Sequence, residues 1–210
     1  MLITEIPIFV VHHNKLIQRK QNMLVQLNAF NLTPVWVEDF LPETLSIDPS
    51  EKLINKNEYS LFLKFEKALI EGIKTKNSYF LILEDDVVLP KDFNIFFPIF
   101  FNEFKNINGD LLMVGDCCGL GTPNPVPGRY VYWEPGFTTR CGHAILYTKS
   151  AAERILPKLT SPLKGYDHKL NDIIKELSLK SCYLHPGIEQ LTQSADPLVR
   201  EKYRSSVQPN

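Results

Sequence analysis

The chain of 210 residues has little cysteine, no surplus of either charge and no long hydrophobic run. Its four cysteines do not make a disulfide scaffold. Cys117 and Cys118 are adjacent while Cys141 and Cys182 stand alone, so no C-x-x-C zinc or redox spacing exists. Such thiols are expected to be reduced and mostly buried, as in the cytoplasm. The 23 Lys plus Arg are matched by 24 Asp plus Glu, giving a net charge of -1 and no global basic field to hold nucleic acid. No segment approaches the roughly 20 apolar residues that cross a bilayer. The densest stretch, 93–104, is interrupted by Asn94, Pro98, Asn102 and Glu103. The N-terminus has no basic region, and Pro7 and His12 break its apolar run, unlike a signal peptide. Glycine is missing after the first apolar run, which reads Val11-His12-His13-Asn14-Lys15. The glycine-rich pyrophosphate loop is therefore lacking, which weighs against a nucleotidyltransferase.

What is present describes a soluble globular chain: 44% hydrophobic and 22% charged residues. A chain of this size buries roughly 70% of its unfolded surface without staples. One domain over residues 1–195 is expected, followed by a polar tail, 196–210. Short runs at 6–11, 35–37, 79–83 and 111–114 fit strands buried on both faces. Between them, 14–30 and 57–74 carry helical apolar spacing. Strands are expected again at 130–133, 143–147 and 181–184, and helices at 150–158 and 166–177. Six phenylalanines from Phe93 to Phe104 lie three and four apart, a core-facing helical stripe that Pro98 interrupts or restarts. Residues 119–128, with three prolines between glycines, read as a long loop over a site. Strands alternating with helices predict an α/β fold with a mainly parallel central sheet flanked by helices.

In such sheets ligands sit beyond the carboxyl ends of the strands. Three of those ends are polar here: His12-His13, Glu38-Asp39 and Glu84-Asp85-Asp86. The last is the strongest signal. Three successive carboxylates repel one another, and a divalent cation with oxygen ligands, Mg²⁺ or Mn²⁺, is the natural compensation. A solvated acidic turn is the alternative, less suited to a place between Tyr79–Leu83 and Val87–Pro90.

The segments Ser60-Leu61-Phe62-Leu63-Lys64, Lys67-Ala68-Leu69 and Leu81-Ile82-Leu83-Glu84-Asp85-Asp86-Val87 resemble glycosyltransferases of the GT-A fold. The similarity is greatest to glycosyltransferase family 25, the lipooligosaccharide and collagen galactosyltransferase group, and its viral and bacterial relatives. Cys141 to Leu146, Ala151 to Leu156, Pro162 to Asp167 and Leu184 to Gln190 are similar in order and spacing. Two departures stand out: Lys64-Phe65 replaces the family's Ser-His pair, and the acidic motif begins with Glu84 where many such enzymes have Asp.

The resemblance implies a nucleotide-sugar donor, a UDP-sugar by expectation, with its diphosphate on Mn²⁺ or Mg²⁺. The acceptor would be a hydroxyl on a glycan, lipid or protein. Asp86 would ligate the metal, Glu84 would bind it directly or through water, and Asp85 would lie nearer the donor sugar. His185 is placed to add a metal ligand, or is simply the polar end of a strand. Asp167 would be the general base of an inverting transfer; as a helix-start carboxylate it also suits the helix dipole. Arg19 is a candidate phosphate contact, although alone it reads as a solvated helix arginine. Val10 and Val11 would offer backbone to the base, and Glu38 or Asp39 would accept from ribose or base. Lys64 would counter the carboxylates or a phosphate, more so than Lys67. Asp116 and His143 are candidates for sugar or acceptor contact, His143 being equally readable as a core histidine. The rival outside enzymology is a non-catalytic glycan-binding or scaffold domain of the same fold.

Overall fold

The structure is a computed structural model that describes residues 1–46, 55–116, 125–136, 142–160 and 164–191. Within these, eight strands and five α-helices alternate: β1 (Ile8–Val11), α1 (Ile17–Ala29), β2 (Val35–Val37), α2 (Lys56–Lys74), β3 (Tyr79–Glu84), β4 (Val87–Val88), α3 (Phe93–Ile107), β5 (Leu111–Gly115), β6 (Val131–Trp133), β7 (Ala144–Thr148), α4 (Lys149–Ile155), α5 (Tyr166–Glu176) and β8 (Ser181–Gln190). The strands form one sheet in the order β2-β1-β3-β7-β5-β8-β4, with β6 also paired to β8.

β1 is parallel to β2 and β3, and β5 is parallel to β8. β7 lies between β3 and β5 and is antiparallel to both. Hence β2, β1, β3, β5 and β8 all point one way, and β7 is a reversed strand inserted among them. The sheet is mainly parallel, as expected, with β4 and β6 added antiparallel on β8.

Alternation along the strands sorts side chains into two cores. Ile8 and Val10 of β1, with Leu81 and Leu83 of β3, face α1 and α3. Phe9 and Val11, with Phe80 and Ile82, face α2, α4 and α5. The phenylalanine stripe is core: Phe93, Phe97, Phe100, Phe101 and Phe104 are buried, each contributing about 1.5–3 kcal/mol by leaving water. α3 runs through Pro98 rather than breaking. The carbonyl that loses its amide partner there belongs to exposed Asn94, where water can satisfy it.

Local signals fix the helix ends. Asn55 Oδ1 accepts from the amides of Asn57 and Glu58, both at 3.0 Å, and the Glu58 carboxylate accepts from the Asn55 amide. This reciprocal cap starts α2. α3 ends at Asn108 in the left-handed region, φ 53°.

Two elements depart from expectation. Val87–Val88 is a strand, and β8 continues to Gln190 instead of stopping at Leu184. A register shift between Met113 and Gly115 moves the pairing from Tyr183 to Ile188, which carries the end of β8 back toward the acidic segment. Cys182 is buried and in no disulfide. Cys117, Cys118, Cys141, residues 119–124 of the proline-rich loop and the 196–210 tail lie outside the described residues.

Candidate functional site

The carboxyl ends of the parallel strands meet at one edge of the sheet. His12 follows β1, Glu38 follows β2, Asp85 and Asp86 follow β3, and Asp116 follows β5. Because β7 is reversed, its N-terminal neighbour His143 lies at the same edge, where its carbonyl accepts from the Glu84 amide at 2.7 Å.

The three carboxylates have different surroundings. Asp85 is buried, with one oxygen 2.6 Å from His12 Nδ1 and the other accepting from Arg19 Nη1 at 3.0 Å. Burial alone would raise its pKa, but the hydrogen bond from His12 and the Arg19 charge outweigh that and hold it below the usual carboxylate range. Asp86 is 3.6 Å from the same guanidinium nitrogen. Glu84, half-buried at the end of β3, has its pKa pushed well up, by burial first and then by the neighbouring Asp86 and Asp85.

Compensation of the acidic triplet therefore comes in large part from the chain itself, through His12 and Arg19. Neither residue looks paired in the sequence, since 73 and 66 positions separate them from Asp85. Asp85 serves the organisation of the cluster, with both its oxygens engaged.

Glu84 and Asp86 converge on a third residue. Gln190 Nε2 is 3.3 Å from Asp86 Oδ1 and donates toward Glu84 Oε2 at 3.5 Å. The Leu191 amide donates to the Asp86 carbonyl at 2.8 Å, anchoring the end of β8 beside β3. Gln190 carried no signal in the sequence beyond closing the family-like segment from Leu184.

The donor chemistry suits a hard divalent cation. One atom already reaches both carboxylates, and Glu84 sits where a cation would relieve the cost of its charge. Among the described residues no group of three or more His, Cys, Asp and Glu side chains gathers as a self-sufficient metal cage. Mg²⁺-type sites are commonly held by one or two carboxylates, with water and substrate phosphate completing the shell.

A pocket opens beside the cluster, lined by Val11, His12, Arg19, Lys64, Glu84 and Asp85 among others. Lys64 is 3% exposed and donates to Ser60 Oγ at 2.9 Å. Ser60 in turn donates to the Phe40 carbonyl. Burial lowers the Lys64 pKa, opposed by the charges of Asp85 and Asp39. The lysine is thus held by α2 at the pocket wall, within reach of the Asp85 charge. Ser60 belongs to this site and was visible in the sequence only as part of the family-like segment.

Asp167 lies in the first turn of α5, where its Oδ1 accepts from the His168 amide at 2.8 Å. Tyr166 before it stacks on Phe65 at 4.1 Å and meets the Tyr147 hydroxyl at 2.8 Å. At Gly142 a β-carbon would lie 3.7 Å from Glu84 Oε1 and 3.8 Å from Tyr166, so α5 begins close to Glu84. Burial raises the Asp167 pKa, and its charge in turn raises that of Glu84.

The remaining candidates divide. Val11 lines the pocket, whereas the Val10 side chain is in the opposite core. Glu38 pairs with Lys20 at 2.6 Å and lies 3.8 Å from His12 Nε2. Asp39 is exposed, and Lys67 donates to it at 2.5 Å. His143 is buried, with Nε2 2.9 Å from the Ile188 carbonyl, and burial lowers its pKa. Asp116 is exposed, and its amide donates to the same Ile188 carbonyl at 3.0 Å. His185 donates through its backbone to Tyr130 and packs its ring edge-on to Tyr132. Gln190, five residues further along β8, is the side chain that reaches Glu84 and Asp86.

No protein-family model matches the chain, and no curated protein matches its sequence. Solved structures do match. The crystal structure of a glycosyltransferase involved in the glycosylation of the major capsid of PBCV-1 aligns over 94% of this chain and 96% of its own, at 13% identity and a TM-score of 0.51. Residues 1–349 of S. aureus TarS align over 88% of this chain and 60% of that one, at 16% identity and a TM-score of 0.49. At this level of identity the first likeness speaks for the fold alone. The chain has a GT-A-like α/β fold, with its mainly parallel sheet flanked by helices and its acidic cluster at the carboxyl edge.

Proposed function

We infer that the protein is a glycosyltransferase that moves a sugar from a nucleotide-sugar, a UDP-sugar by preference, to a hydroxyl acceptor on a glycan, lipid or protein. The observation that carries this is the meeting of Glu84 and Asp86 on one atom, beside a pocket holding Lys64 and Arg19, on a GT-A-like fold. Glu84 and Asp86 would hold Mn²⁺ or Mg²⁺. Bound there, the cation supplies Lewis-acid neutralisation of charge on the leaving diphosphate. The rarity of cysteine and the buried thiol of Cys182 favour a cytoplasmic setting.

The chain's own residues account for the remaining chemistry. Lys64, fixed by Ser60, directs its ammonium toward donor phosphate. Arg19, fixed on Asp85 and Asp86, keeps the two acidic side chains in place and adds positive potential at the pocket wall. Asp167 takes the acceptor hydroxyl proton as the acceptor oxygen bonds to the anomeric carbon. The bond from that carbon to phosphate oxygen breaks, and its electron pair leaves with the diphosphate. One such displacement inverts the anomeric centre. A carboxylate with a raised pKa suits the base, because proton transfer becomes more favourable as its pKa approaches working pH.

The test is calorimetric titration of a UDP-sugar panel, with and without Mn²⁺, into wild type and Asp86→Ala. Metal-dependent binding that the substitution abolishes supports the proposal. No binding by any nucleotide-sugar under either condition overturns it.

A further inference from the structure

A second cavity, of about 460 Å³, lies between α3, β4, β8 and Tyr130, the residue before β6. Its volume is within the roughly 300–1,000 Å³ of small-ligand sites. Aromatic rings make much of its wall: Phe93, Phe96, Phe100 and Tyr130. Asp92 and Glu189, both exposed, stand at its edge.

We propose that this groove holds a neutral sugar ring of the acceptor glycan, an assignment that rests on the glycosyltransferase reading above. Three observations choose that occupant. Phe96 and Tyr130 meet edge to face, 5.7 Å apart at 69°, and both are only half-buried, so ring surface stays open at the groove for the C–H face of a pyranose. The polar residues are carboxylates, acceptors that suit hydroxyl donors. Among the described lining residues there is no Lys, Arg or His, and the two charged ones, Asp92 and Glu189, repel a phosphate or an anionic lipid headgroup.

The wall is built in advance. Glu103 of α3 accepts from the Tyr130 amide at 2.9 Å and the Val131 amide at 2.8 Å, fixing β6 over the helix and Tyr130 against Phe96. The groove also adjoins the acidic cluster. Val88 pairs with Glu189, and the next pair is Val87 with Gln190, the residue that donates toward Glu84 and Asp86. Glu189 and Gln190 are consecutive, so their side chains leave β8 on opposite faces, and the two sites flank the end of the strand.

Saturation-transfer NMR with free lactose, cellobiose and N,N′-diacetylchitobiose tests this on the full chain. At least one disaccharide should bind, and Phe96→Ala and Tyr130→Ala should each weaken it by about tenfold, as expected for a packed aromatic contact. Asp92→Asn combined with Glu189→Gln, on exposed positions that leave the fold intact, should weaken it as well. None of these changes should alter metal-dependent UDP-sugar binding. Failure of all three sugars, binding that survives every substitution, or binding of phosphatidylcholine vesicles in place of sugar would each overturn the assignment. If the sugars bind as described while no nucleotide-sugar binds, the groove stands and the transferase reading falls, leaving a glycan-binding domain.

Discussion

His12 Nδ1 and Asp85 Oδ2 are 2.6 Å apart in the interior, with Arg19 on the other Asp85 oxygen. The middle carboxylate of the acidic triplet is therefore a structural anchor that ties β3 to β1 and α1. Asp85→Ala should destabilise the protein by about 1–3 kcal/mol, since it takes the nearer carboxylate from Arg19, leaving Asp86 at 3.6 Å, and removes His12's partner. Urea denaturation measures this. A midpoint unchanged from wild type would show that Asp85 bears no such load.

The same pair fixes a pH dependence. Folding holds the Asp85 pKa below its unfolded value, so its contribution is complete above about pH 4, the unfolded value, and is lost as pH falls through the folded one. Urea midpoints taken from pH 6 down toward pH 2.5 should fall more steeply for wild type than for Asp85→Asn. Parallel curves would contradict the shift.

Glu84 has the opposite sign. Its pKa is raised by burial and by Asp86 and Asp85, so its charge is a cost to the metal-free protein at neutral pH. Glu84→Gln should stabilise that protein by about 0.5–2 kcal/mol, a gain typical of relieving a functional site. The same variant should lose Mn²⁺-dependent donor binding. Thermal melts without metal and calorimetry with it give the two readouts, and a lower Tm would count against the assignment.

Lys64→Met keeps an unbranched side chain one atom shorter and removes its charge. If the ammonium meets phosphate, donor affinity should fall by about 10- to 150-fold, matching the roughly 1.5–3 kcal/mol of a charged hydrogen bond. Stability should hold or rise, because burial already depresses the lysine's pKa. Equal donor affinity in both proteins would remove Lys64 from the site.

Asp167→Asn separates binding from chemistry. If Asp167 is the general base, it should account for about 10²–10⁴ in kcat, with donor affinity nearly unchanged. Steady-state kinetics on the pair of proteins decides it. A change confined to KM would recast Asp167 as a binding residue.

Much of the fold was legible because buried strands and amphipathic helices write their periods locally. β1, β2, β3, α2 and the phenylalanine face of α3 follow from such runs. The reversal of β7 does not, since a strand buried on both faces has the same composition in either direction. Val87–Val88 was too short to register, and β8 was cut short because His185, Pro186 and Gly187 look like a terminus when seen without β5. At the site, the carboxylates declared themselves by crowding. Their pairing did not: His12 stands out as a polar strand end and Arg19 as a phosphate contact, but only tertiary structure joins them and Gln190 to the carboxylates.

β8 closes the acidic cluster from 104 residues downstream of Asp86. At roughly 5–20 residues per second, a ribosome takes about 5–20 s to cover that distance. Throughout that interval a nascent chain holds Glu84 and Asp86 without Gln190, and β5 presents an unpaired strand edge where β8 will dock. Assembly of the cluster is thus among the last events in the molecule's biogenesis, and such long-range pairing forms slowly.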